Sequence, residues 1–273
     1  MRLWWRVLAL CACGGCLFPL DTLQGGSADS GDADASDART DAGDASTDSA
    51  ITPFCANVDA TAVLFCDDFD DTDASTFPSW NSASGIVTRD PSGWTSPPFS
   101  FLGTTVPTGS SANSQSANIK RTYARSVSRA IYAFDVRVDR FDTTNGNAQV
   151  NQLSIFSAGV KVEYRLTLSA MTTEFAVHIP PSADAGAQTV SFSLSPWLAN
   201  RWYHVVFDIN AATVPAAVTV AIDGNAVVGP SAAIAIATYG IGSSIEAQAG
   251  IYFSGNPQTG WALRIDNALV RVQ

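Results

Sequence analysis

Hydrophobic and polar residues alternate along the chain after residue 51, with the period of two that is typical of β-strands. The stretches Ile131–Asp139 and Val160–Leu168 place apolar side chains at every second position. Shorter sets begin at Phe175, Tyr203, Val218 and Ala249. Each strand has one polar face, so the pattern predicts about twelve strands, no helix, and two antiparallel sheets packed face to face as a sandwich.

Two local signals refine this prediction. The dipeptide Asp223-Gly224 lies between two alternating runs and predicts a tight hairpin. In the last run, Gly260–Gln273, the apolar positions change parity between Ile265 and Val270. A β-bulge near Asp266-Asn267 would account for that change.

Residues 1–16 are typical of an export signal. Arg2 and Arg6 precede a short apolar core that ends at Cys13. The segment Leu10–Cys13 resembles a lipobox, which implies cleavage before Cys13 and lipid attachment to its sulfur. Cys16 is the alternative site, and an ordinary secretory signal is the alternative interpretation. Because Gly rather than Asp follows Cys13, the resemblance favours an outer-membrane or cell-surface location.

Residues 17–50 predict a disordered tether. Its residues 25–50 are rich in Asp, Ala and Ser and have no large apolar side chain, so burial cannot offset the ordering entropy. We expect a spacer between a membrane and the domain of residues 51–273. Calcium binding by the closely spaced Asp residues is the alternative, but a flexible chain does not pre-organise the ligands.

The charge of the chain argues against nucleic acid as a partner. The chain carries 25 acidic and 15 basic residues, and its formal net charge is −10. Nucleic-acid binding requires a basic surface instead. The uncharged stretch of residues 224–245 contains Gly and Pro and is expected to form strand and turn. We therefore expect membrane contact through the N-terminal lipid only.

Three motifs together resemble the concanavalin A-like lectin/glucanase superfamily, which includes laminin G-like domains. Residues 64–70 (LFCDDFD) are similar to its opening strand, and residues 263–272 (LRIDNALVRV) to its closing strand. Between them, residues 202–208 (WYHVVFD) and 218–224 (VTVAIDG) match the laminin G-like strand pair. The resemblance implies a two-sheet antiparallel jelly roll.

The same resemblance implies one structural calcium ion. Its ligands would be the main-chain oxygen of Asp68 and the carboxylate of Asp266. Calcium readily combines such oxygens. The alternative is that Asp266 accepts hydrogen bonds from the protein, because a buried carboxylate needs some partner.

The glycosidase motif of that superfamily is absent. Those enzymes carry Glu-x-Asp-x-x-Glu on one strand, which places an acid and a nucleophile ~5–5.5 Å apart. The three glutamates of this chain, Glu163, Glu174 and Glu246, form no such array. His178 and His204 lie on the polar side of their strands, and no Ser nucleophile motif accompanies them. The sequence therefore predicts a domain that is not an enzyme.

Two cysteines remain after the leader, Cys55 and Cys66. In an exported chain such a pair is expected to form a disulfide, which would stabilise the domain by roughly 3 kcal/mol.

The expected function is non-catalytic carbohydrate binding, with an extracellular polysaccharide or a surface glycan as the partner. Trp80 and Trp94 lie in a segment rich in Ser, Gly and Pro, and exposed aromatic rings stack on sugars. Plain packing is the alternative role for each tryptophan. A structural or protein-interaction domain is the second hypothesis for the whole chain, and an enzyme with an unrecognised site is the third.

Overall fold

The computed structural model describes residues 54–58, 62–70, 85–107, 114–142, 146–157, 159–179, 186–213, 216–229, 242–255 and 259–273. These residues belong to one compact unit, Ser49–Gln273. The predicted leader, the tether and Trp80 lie outside them. Over the described part of the chain, no helix has the length and apolar character needed to cross a bilayer.

The described residues form fourteen strands and one short 3₁₀ turn, Phe54–Asn57. The strands are β1 (Val63–Asp67), β2 (Ile86–Asp90), β3 (Ser100–Thr104), β4 (Gln115–Tyr123), β5 (Arg129–Arg140), β6 (Ala148–Ser157), β7 (Val160–Leu168), β8 (Thr173–Ile179), β9 (Gln188–Leu194), β10 (Trp202–Asn210), β11 (Ala217–Ile222), β12 (Asn225–Val228), β13 (Ser244–Ser254) and β14 (Ala262–Val272).

These strands form two antiparallel sheets, and the predicted jelly-roll sandwich of concanavalin A-like type is confirmed. The eight-stranded sheet has the order β12-β11-β10-β5-β14-β3-β2, with β1 also paired to β14. The six-stranded sheet has the order β4-β13-β6-β7-β8-β9. The opening and closing motifs meet as the resemblance implied, because Phe65 of β1 lies opposite Val270 of β14.

The alternating apolar side chains meet between the two sheets. Aromatic rings from both sheets pack at the centre of this core, with Phe134 and Phe207 edge-to-face at 5.5 Å and Phe175 and Phe207 at 5.1 Å. All three phenylalanines are fully buried. Burial of each such ring stabilises the fold by roughly 1.5–3 kcal/mol.

Both local signals in the sequence correspond to real features. Asp223 and Gly224 join β11 to β12 with φ of 50° and 77°, the left-handed conformations that a two-residue hairpin of this type requires. In β14 the pairing with β5 shifts between Asp266 and Leu269, and Asn267 has a φ of 50°. The predicted hairpin and bulge are therefore both present.

A disulfide joins Cys55 in the 3₁₀ turn to Cys66 in β1, with their Cα atoms 5.7 Å apart. The backbone N–H of Cys55 also donates to the Asp68 carboxylate at 3.0 Å. The N-terminal turn is thus attached to the edge of the eight-stranded sheet both covalently and by a hydrogen bond.

A second irregularity, which the sequence analysis did not predict, lies where β6 meets β13. Asn151 and Gly250 both have positive φ, 44° and 103°, and the N–H of Gly250 donates to the Asn151 side chain at 2.7 Å. A Cβ atom at Gly250 would lie 2.5 Å from the Ala117 carbonyl oxygen, so only glycine fits. The extra residue changes the parity of β6, and Gln152 points away from the core.

Candidate functional site

Polar side chains line the outward side of the six-stranded sheet, and we call this surface the polar face. Strand register aligns them in two rows that cross all six strands. The first row consists of Thr122, Glu246, Ser154, Glu163, His178 and Thr189. The second row consists of Lys120, Gln248, Gln152, Arg165, Ala176 and Ser191. The central side chains of both rows are buried although they lie outside the core.

A network of ion pairs holds the glutamate side chains of the first row in place. The Nζ of Lys161 contacts Oε1 of Glu163 at 3.0 Å and Oε1 of Glu246 at 3.3 Å. Lys120 contacts the other oxygen of Glu246 at 3.5 Å. Burial raises the pKa of Glu246, but the lysines and the Gln248 amide outweigh burial, so the pKa lies below its ordinary value. Glu246 is therefore an ionised carboxylate at neutral pH.

Arg165 lies in the second row and is oriented by Glu163, to which its Nη1 donates at 2.8 Å. The Nε of Arg165 is buried and has no hydrogen-bond partner in the protein. Burial lowers the pKa of Arg165, but the guanidinium stays protonated at neutral pH. A positive charge with an unused donor in a buried setting is suited to binding an anion.

His178 and Tyr252 lie on opposite sides of Arg165. His178 is on β8, beside Glu163, and its Nδ1 is 2.7 Å from Oγ1 of Thr189. Burial lowers the pKa of His178, and the nearby Arg165 lowers it further, so the imidazole is neutral at pH 7. Tyr252 follows the bulge of β13 on the same side as Glu246 and Gln248, close enough to Arg165 for an electrostatic interaction. A neutral imidazole and a phenol are thus available for proton transfer.

None of these side chains was predicted from the sequence to belong to a functional site, and the conclusion drawn from the glutamates was incomplete. Glu163 and Glu246 form no array on one strand, as expected, yet the fold brings both to the same ammonium group. Their strands are β7 and β13, which are far apart in sequence and separated by β6 in the sheet. Only the alternation of charged residues on β7 was a visible signal.

The predicted calcium ligand Asp266 lies on the outward side of the other sheet. Its carboxylate accepts hydrogen bonds from the backbone N–H groups of Thr95 at 2.7 Å and Ser96 at 2.9 Å, and from Asn267 N–H at 2.9 Å. The hydroxyl oxygens of Thr95 and Ser96 also lie 3.1 Å from it. Burial raises the pKa of Asp266 to about 7 despite these donors.

Asp266, Thr95, Ser96, Asn267, Asp135 and His204 make up what we call the outer cluster. Within it, Asp135 accepts from Thr95 and Asn267, both at 2.7 Å, and lies 2.6 Å from Nδ1 of His204. Protein donors thus surround the Asp266 carboxylate. Its role as a calcium ligand stays a prediction.

The other half of the predicted calcium site lies at the end of β1. The Asp68 side chain accepts from the backbone of Cys55 and Asp70. Burial raises the pKa of its neighbours Asp67 and Asp70, each to about 6. Within the described residues, no set of three or more His, Cys, Asp or Glu could hold a metal ion. A calcium ion bound through the main-chain oxygen of Asp68 stays a prediction.

Trp94 is one of the two predicted sugar-binding tryptophans. It is 42% exposed and lies between β2 and β3, next to Thr95 of the outer cluster. It therefore lies on the opposite side of the sandwich from the polar face. The structure does not bring it together with Arg165, His178 or Tyr252.

The comparison with solved structures identifies the fold. An endo-β-1,4-glucuronan lyase from the fungus Trichoderma reesei superposes with a TM-score of 0.57 at 14% identity, covering 77% of this chain and 96% of that one. The cellulose induced protein Cip1 has a TM-score of 0.50 at 12% identity, covering 77% and 97%. The alginate lyase vAL-1 from a Chlorella virus also has 0.50, at 10% identity, covering 77% and 100%.

No protein-family model matches the sequence. No curated protein matches it either. The likeness to solved structures, at 10–14% identity, is therefore a likeness of fold.

These neighbours correct the expectation of a non-catalytic carbohydrate-binding domain. That expectation depended on the absence of a hydrolase motif. Two of the neighbours are polysaccharide lyases, a class of enzyme that a missing hydrolase motif does not exclude. The inference that the chain is not an enzyme was wrong, because proteins of this fold include enzymes that are not hydrolases.

Proposed function

We propose that the domain is a polysaccharide lyase that cuts a uronate-containing chain by β-elimination on the polar face. The observation that carries this proposal is Arg165, a half-buried cation whose buried Nε has no partner in the protein, between His178 and Tyr252. The lyases among the structural neighbours support it.

The reaction needs three groups, and the polar face offers each of them. Arg165 binds the C6 carboxylate of the uronate and, by neutralising it, makes the hydrogen on C5 more acidic. His178 takes the C5 proton, and the electron pair of that bond forms the C4=C5 double bond. The bond from C4 to the glycosidic oxygen breaks, and Tyr252 donates a proton to the leaving oxygen. No water is consumed.

The positions of the two proton-transfer groups suit this sequence. His178 is on β8 and Tyr252 on β13, so base and acid approach the sugar from opposite sides of Arg165. When Nδ1 of His178 donates to Thr189, the other ring nitrogen carries the lone pair that a base requires.

Hydrolysis by the Glu163–Glu246 pair is less well supported. A retaining glycosidase needs one carboxyl group that is protonated at the working pH. The pKa of Glu246 lies below its ordinary value, and Glu163 is paired with both Lys161 and Arg165. The pair therefore fits a role in holding cations in place.

The test is digestion of polyglucuronate, alginate and a neutral β-glucan by residues 51–273. We expect the uronate polymers to give products whose new double bond absorbs ultraviolet light. Arg165→Ala should reduce this rate by roughly 10²–10³-fold, the scale for loss of one electrostatic stabiliser. Arg201→Ala, at an exposed arginine of the other sheet, is the control and should leave the rate unchanged. New reducing ends without ultraviolet absorbance, or no cleavage at all, would overturn the proposal.

We also propose that the enzyme is exported and anchored by lipid at Cys13 or Cys16, with residues 17–50 as a spacer. The leader composition and the lipobox-like segment support this. Labelling of the full chain with a radioactive fatty acid should be lost in Cys13→Ser. Labelling that survives in both Cys13→Ser and Cys16→Ser would contradict it.

A further inference from the structure

Gln248 and Gln152 occupy the centre of the polar face. They lie opposite each other on β13 and β6, and their exposed fractions are 2% and 0%. The carbonyl oxygen of each side-chain amide is buried and accepts no hydrogen bond in the protein. An unsatisfied buried polar group of this kind costs roughly 1–3 kcal/mol unless water or a ligand supplies the partner.

The orientation of the Gln248 amide is fixed by its surroundings. Its Nε2 donates to Oε1 of Glu246 at 2.8 Å. A carboxylate only accepts hydrogen bonds, so the NH₂ end must face Glu246 and the carbonyl oxygen must face away. Lys161 and Lys120 hold Glu246 in turn. The Gln248 carbonyl oxygen therefore faces away from Glu246, is buried at the centre of the polar face, and lacks a partner in the protein.

Gln152 presents the same group beside it. Its Nε2 donates to Oγ of Ser154 at 2.9 Å, and its carbonyl oxygen is unused. The next residue in the row is Arg165, whose Nε is an unused donor. The second row thus contains two adjacent carbonyl oxygens that can accept hydrogen bonds, on β13 and β6, and a guanidinium that can donate one, on β7.

This arrangement selects the groups that a sugar presents to it. A carboxylate has no hydrogen to donate and is directed away from the two carbonyl oxygens and toward Arg165. Ring hydroxyls are donors and satisfy those oxygens. We infer that Gln248 and Gln152 form a hydroxyl-recognition subsite, so that the protein binds uronate chains with free O2 and O3 hydroxyls and rejects O-acetylated ones.

Acetylation would act in two ways. It removes the O–H hydrogen that each carbonyl oxygen needs, and it adds bulk where the side chains are already packed. A site built to bond a hydroxyl rejects the analogue that lacks it by large factors, because its own buried groups are left unpaired. The identity of the sugar as a uronate depends on the proposed function, whereas the recognition of hydroxyls depends on the glutamines alone.

The experiment measures binding and not turnover. A β-1,4-linked glucuronate tetrasaccharide and its O-acetylated derivative are titrated calorimetrically into residues 51–273. We expect the wild type to bind the free sugar at least about tenfold more tightly than the acetylated one, equivalent to 1.4 kcal/mol. Gln248→Leu and Gln152→Leu should each weaken binding of the free sugar and reduce this preference. Thr219→Ala, on β11 of the other sheet, should retain both.

The outcomes separate this inference from the proposed function. Equal binding of the two sugars by the wild type, or an unchanged preference in both leucine variants, would overturn the subsite. No binding of either sugar would overturn it as well. A preference without any unsaturated product would support the subsite and count against elimination. If Gln248→Leu does not fold, as judged by circular dichroism, Gln248→Met and Gln152→Leu provide the same test.

Discussion

The two outward surfaces of the sandwich both bury polar and charged side chains, but they satisfy them differently. In the outer cluster, protein donors surround the Asp266 carboxylate, and Asp135 accepts from two side chains as well as contacting His204. On the polar face, buried atoms of Gln152, Gln248 and Arg165 have no partner in the protein, and in the outer cluster Nε2 of His204 has none. The acidic groups of the outer cluster are thus satisfied by protein donors, whereas the polar face leaves both acceptors and a donor without partners.

The same contrast applies to the two histidines. The Nδ1 of His204 is 2.6 Å from a carboxylate oxygen of Asp135, inside the outer cluster, while the Nδ1 of His178 is 2.7 Å from the neutral hydroxyl of Thr189. We therefore assign His204 to structure and His178 to chemistry. The predictions below test this division between the two surfaces.

The largest expected effect is on the stability of the outer cluster. Asp266→Ala leaves the donors of Thr95, Ser96 and Asn267 without an acceptor in a buried place. A buried donor left without an acceptor costs roughly 1–3 kcal/mol, and because several donors are affected the loss should exceed that of any single one. Urea unfolding at pH 8, above the raised pKa of Asp266, measures the change. Asp223→Asn, which keeps a side chain that tolerates the left-handed conformation of this exposed turn, serves as the comparison, and equal midpoints for the two variants would contradict a structural role for Asp266.

The next effect concerns the pH dependence of cleavage. Burial and Arg165 hold the pKa of His178 below its ordinary value, so the base is already neutral at pH 7. As pH falls through that lowered pKa, the imidazole takes up a proton and the rate should fall about tenfold per pH unit. His178→Gln should be slow at every pH and lose this dependence, whereas His204→Gln should keep it. If the rate of His204→Gln did not change with pH below 6.5, the group that controls the rate would be His204 of the outer cluster, and the proposed role of His178 would be contradicted.

The smallest expected effect is on the stability of the polar face. Gln152→Met replaces a buried amide, whose carbonyl oxygen has no partner, with an apolar side chain of similar length. Loss of the Ser154 hydrogen bond and loss of the unsatisfied oxygen nearly cancel, so unfolding free energy should change by less than about 1 kcal/mol. Chemical denaturation measures it against the wild type. Destabilisation as large as that of Asp266→Ala would mean that the two surfaces do not differ.

Most of the fold was predictable from the sequence because its rules are local. Alternation located the strands that include Tyr132, Tyr164 and Tyr203, and the parity change after Ile265 located the bulge in β14. The bulge at Asn151 was not predictable, since β6 shows weak alternation and its geometry depends on contact with Gly250. Without that bulge, the sequence pattern could not predict that Gln152 points away from the core.

The candidate site could not be predicted from the sequence, for a different reason. Glu163 and Glu246 are more than eighty positions apart in the printed sequence, and their shared contact with Lys161 exists only because β6 lies between β7 and β13. Periodicity shows which side of a strand a residue occupies, but it does not show which strands are neighbours. The sequence favoured tryptophans as sugar-binding residues because a single exposed aromatic ring can stack on a sugar without help from other strands. Trp94, however, lies on the surface opposite the polar face.

The position of β14 has a consequence for how the molecule forms. It pairs with β5 along one side and with both β1 and β3 along the other. Until β14 joins them, the β2–β3 pair, the strands β5 and β10–β12, and the single strand β1 have no connection within this sheet. Such distant pairings carry a large loop-closure entropy and make folding slow. During synthesis, β1 and β3 could complete their pairing only after β14 had been made. A chain that ended before Ala262 would expose open sheet edges, which are prone to aggregate.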